Sequence, residues 1–329
     1  MLALEKRRVK EFLSALRVSP TPRQVIAPAR EGGVTKFSLW RPGKEVFTAH
    51  NTYYSHKKFL LPPHEPLLEF SLGGEGAVTK SVSSDFEQVI FGVRPCDLAA
   101  IAVTDAFFSR GFEDKYYLNR RSKTALIGMN CVVPSKNCFC DSMGTRNARA
   151  GADLFLVDAG EEWLVEVHSF KGEQMVSAAM HVLRESSEEP LVQVACKRKA
   201  DLKKLGAAPD IVFHWQDWAE KCLSCGMCTT ICPTCTCFDV EDELDLSGVR
   251  GQRARRWSGC PFTGFTRVAG GFVFRAGQVE RTRCRIQHKF SWYEKEFGFN
   301  ACTGCGRCAA VCPTSVSAAD YAFKTGERR

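Results

Sequence analysis

The chain has 329 residues, which predicts two or three domains, and its 44% hydrophobic content is enough for a sizeable core. A formal net charge of +8 could help to dock an acidic partner, but it is far from the composition of a nucleic-acid-binding protein. No uninterrupted apolar run approaches the roughly eighteen residues that a membrane-spanning helix needs, so we expect neither nucleic acid nor a membrane among the partners.

Residues 1–18 predict an amphipathic helix, because their apolar side chains recur at helical spacing. These apolar residues are Leu4, Val9, Phe12, Leu13 and Leu16. The segment lacks the order of charges, apolar stretch and cleavage site that a signal peptide has. We therefore expect a cytoplasmic protein.

Residues 1–210 predict an α/β or α+β domain with a mixed sheet. Short apolar runs at 88–93 and 124–130 are typical of buried strands, and residues 97–110 between them are typical of a helix. A strand, a helix and a strand in this order indicate a βαβ unit with two parallel strands. Residues 152–169 then predict a hairpin whose strands are joined by Ala-Gly-Glu.

Earlier strands are predicted at 36–40 and within 66–82. Three glycines in the second of these segments, Gly73, Gly74 and Gly76, mark a turn. They do not form a dinucleotide-binding fingerprint, because their spacing is wrong and no helix follows them.

A change of composition around a charged segment at 197–210 places a domain boundary near residue 210. Residues 211–329 then form a second domain, which we expect to be mostly α-helical. Its charged segments at 237–248, 250–257 and 284–300 are all predicted to be largely helical.

Seventeen cysteines are the most informative feature of the composition. Disulfides rarely persist in a reducing compartment, so this number indicates metal or redox chemistry. An odd total also fits poorly with a disulfide framework. The cysteines are unevenly spread, with six between Cys222 and Cys237 and four between Cys302 and Cys312.

The spacing C-x2-C-x2-C-x3-C-P occurs twice, at residues 222–233 and 302–313. This is the spacing by which thiolates hold a [4Fe-4S] cluster, and in two-cluster ferredoxins the fourth cysteine reaches the other cluster. Structural zinc usually takes pairs of C-x2-C with a longer spacer between them, so zinc is a poor fit. The sequence therefore predicts two [4Fe-4S] clusters. Their candidate ligands are Cys222, Cys225, Cys228 and Cys232, and Cys302, Cys305, Cys308 and Cys312.

The wide separation of the two motifs resembles the dicluster ferredoxin domain that serves as an electron-transfer module in multi-subunit oxidoreductases. This resemblance implies that the two motifs exchange their fourth cysteines. One cluster would be held by Cys222, Cys225, Cys228 and Cys312, and the other by Cys302, Cys305, Cys308 and Cys232.

A third [4Fe-4S] cluster is predicted in the N-terminal domain, with the ligands Cys96, Cys131, Cys138 and Cys140. Cys96 and Cys131 each follow one of the two parallel strands, and the carboxyl ends of such strands meet at one edge of the sheet, where ligands collect. The helix that begins beside Cys96 would offer amide hydrogens and the positive end of its dipole to thiolates. A zinc site and free thiols are the alternatives.

Six segments in this order carry a family resemblance: FGVRPCDLAAI, CFCDSMGT, CLSCGMCTTICPTCTCFDVEDE, RRWSGC, TRVAGG and ACTGCGRCAAVCP. Together they resemble the iron–sulfur β-subunit of cytosolic sulfhydrogenases and the corresponding iron–sulfur component of anaerobic sulfite reductases. The resemblance implies a subunit that relays electrons from a flavin-containing NAD(P)H-oxidising subunit to a catalytic subunit of the hydrogenase or sulfite reductase type. It also covers the four cysteines of the third cluster.

We therefore expect a subunit that transfers electrons without catalysing a reaction, and we assign no catalytic residue. A relay in a heterodisulfide-reductase-like complex is one alternative. Another is a redox enzyme that uses Cys235 and Cys237 as a thiol pair, although C-x-C lacks the usual C-x-x-C context and packing against a cluster is the simpler explanation. The remaining cysteines, Cys196, Cys260 and Cys284, are interpreted as buried or stray thiols.

Two kinds of charged residue need an interpretation. The run Arg250, Arg253, Arg255 and Arg256 lacks interleaved aromatic residues and is interpreted as a solvated face or docking patch rather than a nucleic-acid site. Basic residues beside the motif cysteines, such as Arg307, could raise a cluster's potential or dock a partner, but we expect them to be surface charges.

Overall fold

The structure, a computed structural model, describes residues 1–18, 23–73, 76–82, 86–207 and 215–326. Gly74 and the predicted domain boundary at residue 210 lie outside these residues. The fold class is confirmed: a mixed sheet with flanking helices is followed by a cysteine-rich region that contains helices.

The strands are β1 Leu2–Glu5, β2 Gln24–Glu31, β3 Val34–Leu39, β4 His64–Gly73, β5 Gly76–Ser81, β6 Gln88–Val93, β7 Thr124–Met129, β8 Leu154–Asp158, β9 Glu162–Val167, β10 Arg184–Glu185, β11 Phe238–Leu244 and β12 Arg250–Trp257. The helices are α1 Val9–Val18, α2 Pro95–Ser109, α3 Lys115–Ser122, α4 Phe170–Ala179, α5 Leu202–Ala207, α6 Trp215–Glu220, α7 Met227–Thr230, α8 Gln278–Gln287, α9 Tyr293–Phe297, α10 Arg307–Val311 and α11 Ala318–Gly326. None of these helices in the described part of the chain is long and apolar enough to cross a membrane.

The first sheet has eight strands in the order β10-β1-β9-β8-β7-β6-β2-β3. The four central strands, β2, β6, β7 and β8, are parallel to their neighbours within this group. The strands outside this group pair in antiparallel fashion. Every residue of β6 and β7 is buried, as expected for strands covered on both faces. The predicted unit of two parallel strands joined through a helix is confirmed as β6, α2 and β7, and the predicted hairpin is confirmed as β8 and β9.

The N-terminal segment differs from the single helix that we predicted. Residues Leu2–Glu5 form β1, which lies between β9 and β10, and α1 begins only at Val9. All five of the apolar residues at helical spacing are nevertheless buried. Pairing with two neighbouring strands therefore overrides the local helical pattern, while the amphipathic part from Val9 onward keeps it.

The second sheet corrects the prediction of helix at 237–248 and 250–257. These segments form the antiparallel strands β11 and β12, and the sheet has the order β11-β12-β4-β5. Opposite charges pair across the hairpin: Arg253 faces Asp242 directly, and Arg256, which is opposite Asp239, forms an ion pair with Glu243 further along the same strand. Cross-strand ion pairs of this kind stabilise two paired strands. In the sequence, the same dense charges are also typical of the solvated face of a helix.

The second sheet also joins the two predicted domains, since β4 and β5 precede residue 210 and β11 and β12 follow it. Arg255 of β12 stabilises the contact between the two predicted domains. Its side chain is 2% exposed and forms ion pairs with Glu65 of β4 and with Asp114. The basic run of β12 is thus largely neutralised by carboxylates of the same chain.

Candidate functional site

The two cysteine motifs share one local geometry. Gly226 and Gly306 have positive φ angles of 74° and 70° and each immediately precedes a short helix, α7 or α10. Only glycine adopts this left-handed conformation without strain, so it can turn the chain tightly after the second cysteine. The third cysteine of each motif, Cys228 or Cys308, then lies on the helix.

Three cysteines of the second motif lie with the fourth cysteine of the first. Cys302, Cys305, Cys308 and Cys232 all line one largely enclosed cavity, together with Arg285 and Lys289. Burial raises the pKa of Cys305 and Cys308 to about 11. Ligation requires the thiolate form, so a positively charged group must offset the cost of burying it. An iron–sulfur cluster bound in the cavity would supply that charge.

The first motif is arranged in the reciprocal way. Cys228 lies close enough to Cys222 and Cys312 for their charges to affect its pKa, which is raised mainly by burial. Cys225 is exposed. The backbone N–H of Val316 donates a hydrogen bond to the Cys312 sulfur over 3.3 Å. The structure therefore brings Cys232 to the three cysteines of the second motif, and Cys312 close to Cys228 of the first.

Three buried cations lie among these thiols. Lys57, Arg285 and Lys289 have exposed fractions of 5%, 7% and 3%, and within the described residues none of them forms an ion pair with a carboxylate. Lys289 donates hydrogen bonds to the carbonyl and hydroxyl of Thr234 over 2.9 and 2.8 Å. Burial lowers the pKa of Lys289, but the nearby Cys232 and Cys235 thiolates raise it more. Thiolates at Cys232 and Cys235 would therefore balance this buried charge.

A separate group of thiols lies at the carboxyl edge of the parallel strands. Cys96, Cys138, Cys140 and Cys196 are buried together, and Cys305 packs against them. The Sγ atoms of Cys140 and Cys196 are 3.4 Å apart. Burial raises the pKa of Cys138 to about 12, with smaller contributions from Cys305, Cys131 and Cys196.

Cys196 is the member of this group that the sequence analysis missed. It lies alone in a charged segment, and no spacing in the sequence connects it with Cys138 or Cys140. Its backbone N–H donates to the Asp141 carboxylate over 2.5 Å, and its sulfur accepts from Arg146 over 3.6 Å. These contacts hold the segment around Cys196 against the loop that carries Cys140.

The N-terminal thiol group lies directly against the second motif. The backbone N–H of Phe139 donates to the Gly304 carbonyl over 2.8 Å. A Cβ atom on Gly304 would lie 2.7 Å from the Cys140 nitrogen, and one on Gly306 would lie 2.1 Å from the Asn137 carbonyl oxygen. Both glycines are therefore required for the close approach of the two loops.

Arg307 is buried, so the expectation that it is a surface charge is wrong. Its guanidinium donates to both carboxylate oxygens of Asp97 over 2.6 and 2.7 Å, and its Nε donates to the Thr52 carbonyl over 2.7 Å. Asp97 is fully buried in the first turn of α2, next to Cys96. The ion pair therefore ties the second motif to the N-terminal domain.

Two comparisons with known proteins agree with this geometry. A family model described as a 4Fe-4S dicluster domain matches residues 221–316. The chain is also 34% identical over 306 residues to a protein named sulfhydrogenase 2 subunit beta, from Pyrococcus furiosus, and the match covers 89% of each chain. No solved structure matches the chain. The dicluster match contains both cysteine motifs and the hairpin between them.

Replacing Arg307 with glutamine should lower the free energy of unfolding by about 3–5 kcal/mol, because it removes the guanidinium that pairs with both oxygens of the fully buried Asp97 carboxylate. The measurement is urea unfolding under anaerobic conditions, followed by far-UV circular dichroism. Arg253→Gln is the matched control, since it breaks an ion pair whose side chains are 50% and 45% exposed and should cost less than about 1 kcal/mol. Equal effects of the two substitutions would contradict this account of Arg307.

Proposed function

The chain belongs to the family of sulfhydrogenase β-subunits, and from that premise we propose that it is an iron–sulfur electron-transfer subunit of a multi-subunit oxidoreductase. Electrons reach it from a flavin-containing subunit that oxidises NAD(P)H, and it passes them to a catalytic subunit of the hydrogenase or sulfite reductase type. The observation that carries the proposal is the gathering of Cys232 with Cys302, Cys305 and Cys308 around one cavity.

Two [4Fe-4S] clusters are proposed in the dicluster domain. Cys222, Cys225, Cys228 and Cys312 hold the first, and Cys302, Cys305, Cys308 and Cys232 hold the second. When bound, each cluster takes up and gives away one electron at a time. The exchange of Cys232 and Cys312 between the motifs supports a short separation of the two clusters, because each motif then contacts both.

The buried cations have a defined role in this proposal. Cluster potential depends on net charge, on hydrogen bonds to sulfur and on exposure to solvent. Arg285 and Lys289 line the cavity of the second cluster, and their charge favours the more negative, reduced state. The N–H of Val316 acts in the same direction at Cys312 of the first cluster.

A third cluster is proposed in the N-terminal domain, held by Cys131, Cys138, Cys140 and a fourth thiol. The sequence analysis names Cys96 as the fourth, and the contacts favour Cys196, whose sulfur lies 3.4 Å from that of Cys140. Burial raises the pKa of Cys96, and its charged neighbours include Asp97 and Cys305 on the side of the second motif as well as Cys138 of the N-terminal group. Cys196 is therefore the better candidate, with Cys96 packed between the two sites.

The full-length chain, purified without oxygen, should be brown, lose visible absorbance on reduction with dithionite, and contain at least about eight iron atoms from the dicluster domain. Metal analysis with visible spectroscopy checks this. Stoichiometric zinc in a colourless protein would falsify the electron-transfer proposal.

The same chain should exchange electrons with an artificial viologen dye but should oxidise no NAD(P)H and turn over neither sulfite nor hydrogen. The reason is that the proposal places the flavin and the substrate-reducing centre in the other subunits. Stopped-flow reduction and steady-state assays on the purified chain make the measurement. Sustained NAD(P)H oxidation by a preparation free of flavoprotein would contradict the relay.

Serine substitution distinguishes the two candidates for the fourth ligand of the N-terminal cluster. Cys196→Ser should lower iron by about four atoms per chain and leave the paramagnetic signals of the dicluster domain intact. Cys96→Ser is the matched control, because it removes a buried thiol from the same group and should leave iron content unchanged. Iron loss only with Cys96→Ser would support Cys96 as the fourth ligand, as the sequence predicts. Unchanged iron in both variants would contradict a third cluster.

A further inference from the structure

Four cysteines outside both motifs and outside the N-terminal thiol group come together at the base of the β11–β12 hairpin. Cys235 and Cys237 precede β11, Cys260 follows β12, and Cys284 lies on α8. The Sγ atoms of Cys260 and Cys284 are 3.9 Å apart, and the Cys237 thiol lies next to those of both Cys235 and Cys260. Three segments of the chain thus bring four thiols to one place.

The hairpin explains why these segments meet. The backbone N–H of Ser258 donates to the Cys237 carbonyl over 3.2 Å, which continues the pairing of the two strands beyond their ends. Gly259 lies against Thr229 of α7, where an added Cβ would be 3.0 Å from the threonine side chain. The loop that carries Cys260 is therefore held beside the first motif. Cys235, Cys260 and Cys284 are buried and Cys237 is half-buried, so this is an interior site.

The buried cations face this group as well as the motif thiols. Cys235 lies within electrostatic range of Lys57, Lys289 and Arg285. The Lys57 ammonium donates to the carbonyls of Thr229 and Cys235 over 3.2 and 3.5 Å and lies 3.7 Å from the centre of the Trp257 ring. Buried charge without a counter-charge is strongly disfavoured. The two carbonyls and the Trp257 ring hold the Lys57 side chain beside Cys235, and a thiolate-bound metal centre of net negative charge at this place would add an attractive partner for it.

The arrangement of the sulfurs favours one kind of centre over another. A site of four thiolates is typical of zinc or of an iron–sulfur cluster. A single zinc ion with Zn–S bonds of about 2.3 Å would place every pair of sulfurs about 3.8 Å apart. Here the contacts run in a row from Cys235 to Cys237, Cys260 and Cys284, and no three of these described residues have sulfurs within 4.8 Å of one another. The close pair Cys260 and Cys284 matches two thiolates on one metal ion, and four sulfurs that do not surround a single point fit a two-iron core, with two cysteines on each iron, better than one zinc ion.

We propose that Cys235, Cys237, Cys260 and Cys284 bind a further iron–sulfur cluster, distinct from those of the two motifs and of the N-terminal group. Both two-iron and four-iron clusters accept four cysteine ligands, and the proposal covers either. Cys235 also lies close enough to Cys228 and Cys232 to affect their pKa values. Cys228 is a proposed ligand of the first dicluster site, and Cys232 is a proposed ligand of the second. The site therefore adjoins both. The proposal goes beyond the relay function, which does not require it.

The test measures iron, zinc and acid-labile sulfide in the full-length chain, purified anaerobically after growth on 57Fe, with Mössbauer spectra of the same samples. Cys260→Ala removes the thiol in the middle of the row and should lower iron and sulfide together, by at least about two atoms of each per chain. Ser258→Ala is the matched control in the same loop and should change neither. Cys284→Ala should reproduce the loss through a different segment, which covers the case in which Cys260→Ala does not fold.

Each remaining outcome decides the question. Unchanged iron and sulfide in both alanine variants would overturn the proposal, and so would the loss of about one zinc ion per chain instead. In the wild-type chain, iron must exceed the amount that the other clusters account for, which is about eight atoms for the two motifs, or about twelve if the Cys196→Ser variant shows the N-terminal cluster. Absence of motif cluster signals from the wild type would contradict the relay function. Their presence alongside unchanged iron in the variants would contradict this proposal alone.

Discussion

Positive charge that is buried without a carboxylate ion pair, as far as the described residues show, is the constraint on which the cysteine-rich region depends. Lys57, Arg285 and Lys289 lie in the interior among thiols, and their polar partners are carbonyl and hydroxyl oxygens. Such an arrangement is costly for a chain that holds no negative group there. It becomes favourable when the thiols are thiolates bound to metal, so folding of this region and occupancy of its sites are linked. The basic residues near the motifs therefore belong to the sites and do not serve only as a surface for partners.

The N-terminal domain takes part in the sites instead of merely supporting them. The Asp97–Arg307 ion pair and the contact of Gly304 with the loop at 137–140 place the N-terminal thiols against the second motif. The shared sheet of β4, β5, β11 and β12 holds the other side of the same region. These two connections fix the position of each thiol group relative to the next. A relay requires such fixed positions, because electron transfer weakens steeply with distance.

Local patterns in the sequence predicted the parts of the structure that local contacts determine. The motif loops are set by the spacing of a few residues, and the strands β6 and β7 by continuous apolar runs, so both could be recognised. The sequence predicts helix for the segments of the β11–β12 hairpin because they are densely charged, but in the structure these charges pair across the two strands and not along one helix face. Cys196, Cys260 and Cys284 are interpreted from the sequence as buried or stray thiols, and all three are buried, but their neighbours come from distant segments that the sequence alone does not connect. No spacing rule connects Cys237 with Cys260 and Cys284, and only the folded chain brings them together.

The pairing of β12 with β4 has a consequence for synthesis of the chain. Arg250 pairs with Ser71 and Arg256 pairs with His64, so one edge of β4 stays open until the ribosome has added about 180 more residues. At about 5–20 residues per second this interval is on the order of ten to forty seconds. An open strand edge invites pairing with other chains, and Pro66 and Glu69 in β4 are residues of the kinds that discourage it. Pro66 and Glu69 therefore reduce the aggregation of the nascent chain until the β11–β12 hairpin has been synthesised and completes the sheet.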